Sequence, residues 1–332
     1  MARQFINQFG EGEAVEQIFL ASEKQLRTNR AGRLYLQVRL SDRTGSMTAM
    51  MWNAGEKVYE SFDNGDFVRV GGTTQVYNGA LQMIANRIDV ADRRFVDESD
   101  FVTLSAACVD RMARRLAELL REIQNVALRD LAECFLVDGP FMDRFAQAPA
   151  AVKHHHAYRG GLLEHVVGLM EVAAAIAPHY PQIDAGLLRM GVFLHDLGKV
   201  DELGFERELH YTDAGQLLGH ITLGVEILSR KIEETERLSG DPFPTDLGLR
   251  LKHMILSHHG EYEFGSPKLP MTLESLVLHQ LDTLDAKLHS FTQIVRDDVN
   301  SDSRWTTYQA ALGRKLYKTS NSALESPVID TA

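Results

Sequence analysis

The sequence predicts a multidomain α and β protein, a small closed β-barrel at the N-terminus followed by an all-helical domain. Three observations carry this. Up to about residue 95, short runs alternate apolar and polar side chains between turn signals. From Leu104 onward the apolar residues return with a helical period. All thirteen histidines fall in the helical part, between His154 and His289. At 332 residues the chain is long enough for two domains with a core each.

In the barrel, Gly32–Leu40 places Leu34, Leu36, Val38 and Leu40 on one face and Tyr35, Gln37 and Arg39 on the other. Ser41–Gly45 reads as a turn into a second strand, Ser46–Trp52. A third, Asp66–Gly71, follows the turn at Asn64-Gly65. Thr73–Tyr77 and Ala80–Ile84 flank Asn78-Gly79, a two-residue hairpin signal. Five short strands in about 60 residues make a small closed barrel.

In the helical part, Met112, Leu116, Leu119, Leu120 and Ile123 form one stripe. Further helical patterns run over 161–177, 185–197, 219–237, 247–256 and 273–295. The expected division is a barrel at 1–92, a helical connector at 93–145, a helical domain at 146–318 and a polar tail at 319–332.

Apolar residues at 44% and charged residues at 24% exclude a disordered, collagen-like or disulfide-scaffold chain. The net charge of −11 opposes wholesale adhesion to nucleic acid or an anionic membrane but allows a local basic groove. Residues 1–92 hold ten basic and eleven acidic side chains, so the barrel is nearly neutral and the helical part carries the excess. Two cysteines, Cys108 and Cys134, read as buried small apolar residues in a reducing cytoplasm. Glu11, Glu13 and Glu16 leave no apolar secretory signal, and the apolar runs at 172–177 and 187–194 fall short of the ~20 residues that cross a bilayer. No membrane partner is expected.

The sharpest unit is Phe193-Leu-His-Asp-Leu-Gly-Lys199. On a helix, adjacent His195 and Asp196 stand about 100° apart and reach one cavity, where a carboxylate has two oxygens to bridge two cations. Lys199 lies on the same side, suited to a phosphate oxygen or a leaving group. His165 precedes this unit; His220, His258-His259 and Asp282 follow it. Imidazole and carboxylate without cysteine suit Mn, Fe, Co, Ni or Zn. There are ligands enough for two metals sharing Asp196, a pair able to activate water for in-line phosphoryl displacement. A lone His165 or His220 has an ordinary alternative as a satisfied, partly buried histidine. The joint order on separate helices is what argues against it.

That order, His…His-Asp…Asp, resembles the HD-domain metal-dependent phosphohydrolases, an all-α fold, and the added His220 and His258-His259 resemble its two-metal branch. Three longer segments, His155–His165, Ser257–Pro267 and Leu278–Lys287, resemble the bacterial YhaM-type 3′→5′ exoribonucleases, in which an OB-fold precedes the HD domain. Arg304-Trp-Thr-Thr-Tyr308 and Arg314-Lys-Leu-Tyr317 resemble the C-terminal pattern of the same family. The resemblance covers residues 10–318. It implies that His165, His195, Asp196 and Asp282 hold one metal. Asp196 then bridges to a second, on His220 and His258, with His259 a further candidate. It favours two manganese ions. Asp285, one turn after Asp282, rivals it as the terminal ligand. His279 is either a support for the ligands or simply packed, and His253 is structural.

Arg159, after Tyr158 and before Gly160-Gly161, is a candidate to grip a substrate phosphate, and His155 and His156 to face the cleft. OB barrels stack bases on aromatics and track phosphates with cations. Tyr35, Arg39, Trp52 and Tyr77 are the candidates here, with Phe67, Arg33, Arg43, Arg69 and Arg87 behind them. The expected function is hydrolysis of single-stranded RNA, and of single-stranded DNA, from the 3′ end to nucleoside 5′-monophosphates by metal-activated water. The rival is a phosphohydrolase of small nucleotides or cyclic dinucleotides, resembling the HD-GYP enzymes. Against it, Gly260–Pro267 lacks a Gly-Tyr-Pro motif and the barrel would have no purpose. A non-catalytic scaffold requires a missing ligand, and none is missing. The sequence leaves oligomeric state open, a homo-oligomer included.

Overall fold

The computed structural model describes residues 3–29, 31–77, 80–101, 104–151, 158–205, 209–296, 298, 300 and 303–318. The expected hairpin turn at Asn78-Gly79, the histidines His154, His155 and His156, and the tail from Thr319 lie outside the described residues. Leu104–Leu288 pack as one unit, and the described residues before and after it as a second.

The second unit holds a closed five-stranded barrel: β1 (Ala14–Thr28), β2 (Leu34–Asp42), β3 (Gly45–Trp52), β4 (Phe67–Tyr77) and β5 (Ala80–Val90) in the order β1-β2-β3-β5-β4. A single helical turn, α1 (Glu56–Tyr59), links β3 to β4. All pairings are antiparallel except β3 with β5. Leu36, Val38 and Leu40 point inward against Phe19, Ala49, Val68, Val70 and Met83, as the alternation requires. Leu34 is exposed, at the strand's open end.

Two strand assignments differ from expectation. Asp66–Gly71 and Thr73–Tyr77 are one strand, β4, carried through a bulge at Gly71/Gly72. The fifth strand is instead β1, which sequence patterning missed. Its register shifts between Ser22 and Gln25, with Glu23 at φ +50°, so the inward side chains change phase midway and no single period runs through it.

The helical unit is built from α2 (Ala106–Arg121), α3 (Val126–Leu136), α4 (Gly139–Gln147), α5 (Gly161–Ile176), α6 (Ala185–Leu194), α7 (Lys199–Glu202), α8 (Asp213–Ser239), α9 (Thr245–Ser257) and α10 (Leu273–Arg296). A two-residue-per-strand hairpin, β6 (Leu203–Gly204) with β7 (His210–Tyr211), follows α7. α3 and most of α4 fall in the stretch expected as a helical connector, in which the sequence marked no separate helix after Ile123. Both start at side-chain caps, Asn125 accepting from Leu128 N (3.1 Å) and Asp138 from Phe141 N (3.1 Å).

The stretch just after residue 92 stays with the barrel: Phe101 packs on Phe67 at 4.8 Å and Arg43 N donates to Asp100 O at 2.8 Å. From Leu104 the expected connector joins the helical core, with the Met112–Ile123 stripe buried as predicted. Phe135 of α3 and Phe145 of α4 close on Phe193 of α6 at 5.3 and 5.5 Å. They thereby brace the helix that ends one residue before His195.

The expectation about apolar length also needs correction. Gly161–His179 is long and apolar enough to cross a bilayer by length and composition. Sequence counting broke this run at its polar residues. Half of the stretch is buried inside the protein, and Leu162, Leu163, Val166, Val167 and Met170 lie in the helical core. Cys108 and Cys134 are unpaired, and burial pushes the Cys134 thiol up, away from reactivity.

At the base of α10, buried Glu274 accepts from Asp184 N (2.9 Å) and from Arg250 Nη2 (3.1 Å). Burial opposes the charge, but these donors hold its carboxyl below the ordinary value of 4.5. A depressed carboxylate adds stability above its unfolded pKa and loses it as pH falls through the folded one. Glu274→Gln is therefore expected to cost about 1–2 kcal/mol at neutral pH. The difference in Tm from wild type should shrink as pH drops below 4.5. A difference in Tm that stays constant down to pH 3 would contradict this.

Candidate metal centre

The predicted ligands converge. His165 sits on α5, where the helix faces the core, and is buried. His195 and Asp196 do not lie within a helix, as expected, but in the turn between α6 and α7. Lys199 opens α7 and donates to Asp196 Oδ2 at 2.6 Å, on the same side as predicted. His220 follows Gly219, whose left-handed backbone (φ +73°, ψ 158°) breaks α8 and turns the chain at this point. His258 closes α9 and His259 follows it, while Asp282 and Asp285 lie on α10.

Two groups form around one carboxylate. Candidate ligand atoms of His165, His195 and Asp282 all lie within 4.8 Å of one another, as do those of His220, His258 and His259. Asp196 stands between them. Its Oδ2 is 3.3 Å from His195 Nε2 and 3.8 Å from His165 Nε2; its Oδ1 is 3.6 Å from His220 Nε2 and 3.7 Å from His258 Nε2.

Every one of these histidines commits Nδ1 elsewhere. His195 donates to Val192 O (2.7 Å), His258 to Ile255 O (2.8 Å) and His259 to Phe264 O (2.9 Å). His220 donates to Glu202 Oε1 (3.1 Å) and His165 to Asp285 Oδ2 (2.8 Å). Acceptors on Nδ1 leave Nε2 as the inward atom, the arrangement that orients metal-binding imidazoles. The rivalry between the two aspartates is thus sorted in space. Asp285 lies behind His165, whereas Asp282 Oδ1 is 3.3 Å from its inward Nε2.

The residues fit a divalent cation. Asp196 Oδ1, His220 Nε2 and His258 Nε2 are buried without a hydrogen-bond partner. Each such orphan costs about 1–3 kcal/mol. A divalent cation takes all three lone pairs at once, whereas a water could donate to only two. Electrostatics agree. Burial favours a neutral His165 ring, yet Asp282 and Asp285 raise it to about 9, so this corner is built for positive charge. Burial opposes ionisation of Asp196, but Lys199 and His195 hold it well below the usual carboxylate range. Burial keeps His258 and His259 neutral, as ligands must be.

Glu202 was missed in the sequence. It is buried, and its Oε1 also accepts from His220 N at 3.0 Å. Lying beside Asp201, it carries no spacing signal that sets it apart. His279 donates to His258 O (2.8 Å), behind the ligands, and His253 accepts from Met271 N (2.9 Å), a structural contact. Arg159 is exposed and donates to Phe205 O (3.1 Å). His155 and His156 lie outside the described residues.

On the barrel, Tyr35 and Trp52 come together with ring centres 5.1 Å apart, and Trp52 is 47% exposed. Arg39, four residues along the same strand face from Tyr35, donates to Ser46 Oγ at 2.7 Å. Tyr77 is exposed at the end of β4. Phe67 is half-buried against Phe101; Arg33 and Arg69 are exposed, Arg87 is ion-paired with Asp89, and Arg43 lies over the Phe5 ring.

Known proteins match this layout. Residues 162–287 match the family model for the HD domain, and residues 22–91 that for an OB-fold nucleic acid binding domain. The 3′-5′ exoribonuclease YhaM of Bacillus subtilis is 37% identical over 284 residues, 84% of this chain and 86% of the relative. That of Listeria innocua is 34% identical over 286 residues, 86% of this chain and 89% of the relative. With both domains matched in order and relatives aligned over most of their length, the chain belongs to the YhaM family of 3′-5′ exoribonucleases.

Proposed function

We propose that this protein is a metal-dependent 3′→5′ exoribonuclease. It hydrolyses single-stranded RNA, and single-stranded DNA as a second substrate, to nucleoside 5′-monophosphates in the reducing cytoplasm. The observation that carries this reading is Asp196, one buried carboxylate presenting an oxygen to each of two histidine groups. His165, His195, Asp282 and Asp196 Oδ2 would hold one cation; His220, His258, His259 and Asp196 Oδ1 would hold the other. The donor set of imidazole and carboxylate, with no thiolate, suits Mn, Fe, Co, Ni or Zn, and it is the resemblance to the YhaM-type exoribonucleases that favours manganese. When bound, two such cations would supply activation of water and positive charge against the phosphate.

The protein's own groups do the rest. Lys199 offsets the charge of Asp196 and keeps it ionised, although burial opposes both charges. Its ammonium, 2.6 Å from Asp196 Oδ2, is the protein cation placed to meet a phosphate oxygen at this centre. Glu202 and Asp285 fix the rings of His220 and His165. Arg159 grips a phosphate of the strand from the surface. Tyr35 and Trp52 stack bases on the barrel, with Arg39 further along the same strand face and Tyr77 at the end of β4. By sequence, the working division is a barrel at 1–92, a connector at 93–145, the HD domain at 146–318 and a tail at 319–332.

The test incubates 5′-labelled single-stranded RNA with the protein and Mn²⁺. Products shortened stepwise from the 3′ end, and abolished by EDTA, are expected. Intact RNA alongside hydrolysed cyclic dinucleotides would replace this reading with the small-nucleotide one.

A further inference from the structure

Residues 303–318 form a short hairpin outside both spans that match a family model, and they pack in the same unit as the barrel. Trp305 pairs with Tyr317 and Gln309 with Arg314 across it. Thr306 N donates to Leu316 O (2.9 Å), Leu316 N to Thr306 Oγ1 (2.9 Å) and Lys318 N to Arg304 O (2.7 Å). Thr306 and Leu316 are buried and anchor one face. Alternation puts Trp305, Lys315 and Tyr317 on the other. There the Trp305 and Tyr317 rings meet edge to face at 5.2 Å, each residue 50% exposed, and Tyr308 is 61% exposed.

The charge is as unusual as the aromatics. In a protein of net charge −11, residues 303–318 carry Arg304, Arg314, Lys315 and Lys318 and no acidic residue. Lys318 is spent on Asp298 (2.8 Å), but Arg304, Arg314 and Lys315 are exposed. Arg304 also reaches Tyr317 OH at 3.4 Å, so cation and ring lie side by side. Held-out flat rings interleaved with cations suit a ligand that alternates π-faces with negative charge. Single-stranded nucleic acid does so; an acidic peptide or a lipid surface offers the charge without the faces.

We propose that this hairpin is a further contact surface for single-stranded RNA, with Trp305 and Tyr317 stacking bases and Arg314 and Lys315 meeting phosphates. The proposal rests on the exoribonuclease reading. The test measures affinity of the full chain for a labelled single-stranded RNA by fluorescence anisotropy, in EDTA to prevent turnover, over a range of salt. W305A/Y317A is expected to bind about tenfold more weakly, with W305F/Y317F restoring most of the loss. R314Q/K315Q is expected to flatten the dependence of log Kd on log salt by about one. Wild-type affinity in the alanine pair together with a wild-type salt slope in the glutamine pair overturns the proposal. Should the alanine pair unfold, the glutamine pair decides alone, since Lys315 and Arg314 are exposed and the one further contact altered is that of Arg314 over the Phe291 ring at 5.5 Å. RNA neither bound nor degraded by wild type would instead remove the exoribonuclease reading itself.

Discussion

Asp196→Asn is expected to lower turnover of single-stranded RNA by at least about 10³-fold, some 4 kcal/mol of barrier, with helical content unchanged. The reason is in the two oxygens. Oδ2 faces His165 and His195, and Oδ1 faces His220 and His258, all between 3.3 and 3.8 Å. An amide keeps one oxygen and turns the other into a donor. Whichever way it rotates, one histidine group loses its carboxylate, and an N–H is pushed toward the place where a cation belongs. The negative charge that offsets Lys199 also goes, though the remaining oxygen can still accept from its ammonium, so the fold survives. Kinetics, circular dichroism and metal content of the purified variant check this together. Wild-type turnover in the variant would refute the assignment of the centre.

Gly198→Ala should damage fold and site at once. A Cβ there would overlap the carbonyl oxygen of His220 and come within 2.6 Å of Gly224 N. Both obstacles are backbone of α8, which cannot swing aside as a side chain would. Overpacking of this kind costs about 3 kcal/mol. Because the clash is with the residue that carries the imidazole, relief moves His220 away from Asp196, and shifts of about 1 Å can cost 10²-fold in rate. Gly168→Ala on α5 is the control, since a Cβ there meets nothing within 4 Å. It should leave Tm level or raise it by the helix propensity of alanine over glycine, about 1 kcal/mol. Thermal unfolding and turnover of the two variants, side by side, separate crowding at Gly198 from any general effect of losing a glycine. Equal behaviour of the two would sink the argument.

Local pattern carried the sequence reading wherever a single period ran unbroken. β2 is legible because Leu36, Val38 and Leu40 alternate without interruption, and α2 because its stripe has no break. β1 is illegible because its bulge changes phase. The His195-Asp196 doublet sits in a turn, and what singled it out in the sequence was its order with His165, His220, His258-His259 and Asp282, which does not depend on the doublet being helical.

The choice of side chains, imidazoles and carboxylates with one lysine and no thiolate, was determined by the sequence alone, and with it the kind of chemistry the protein performs. Which nitrogen each imidazole turns inward, which of Asp282 and Asp285 faces the centre, and the part played by Glu202 were decided only by tertiary structure. Ring orientation depends on the partner of the second nitrogen. For His195, His258 and His259 that partner is a main-chain carbonyl, a group every residue possesses and no sequence pattern marks, so only the packing of the chain could select it.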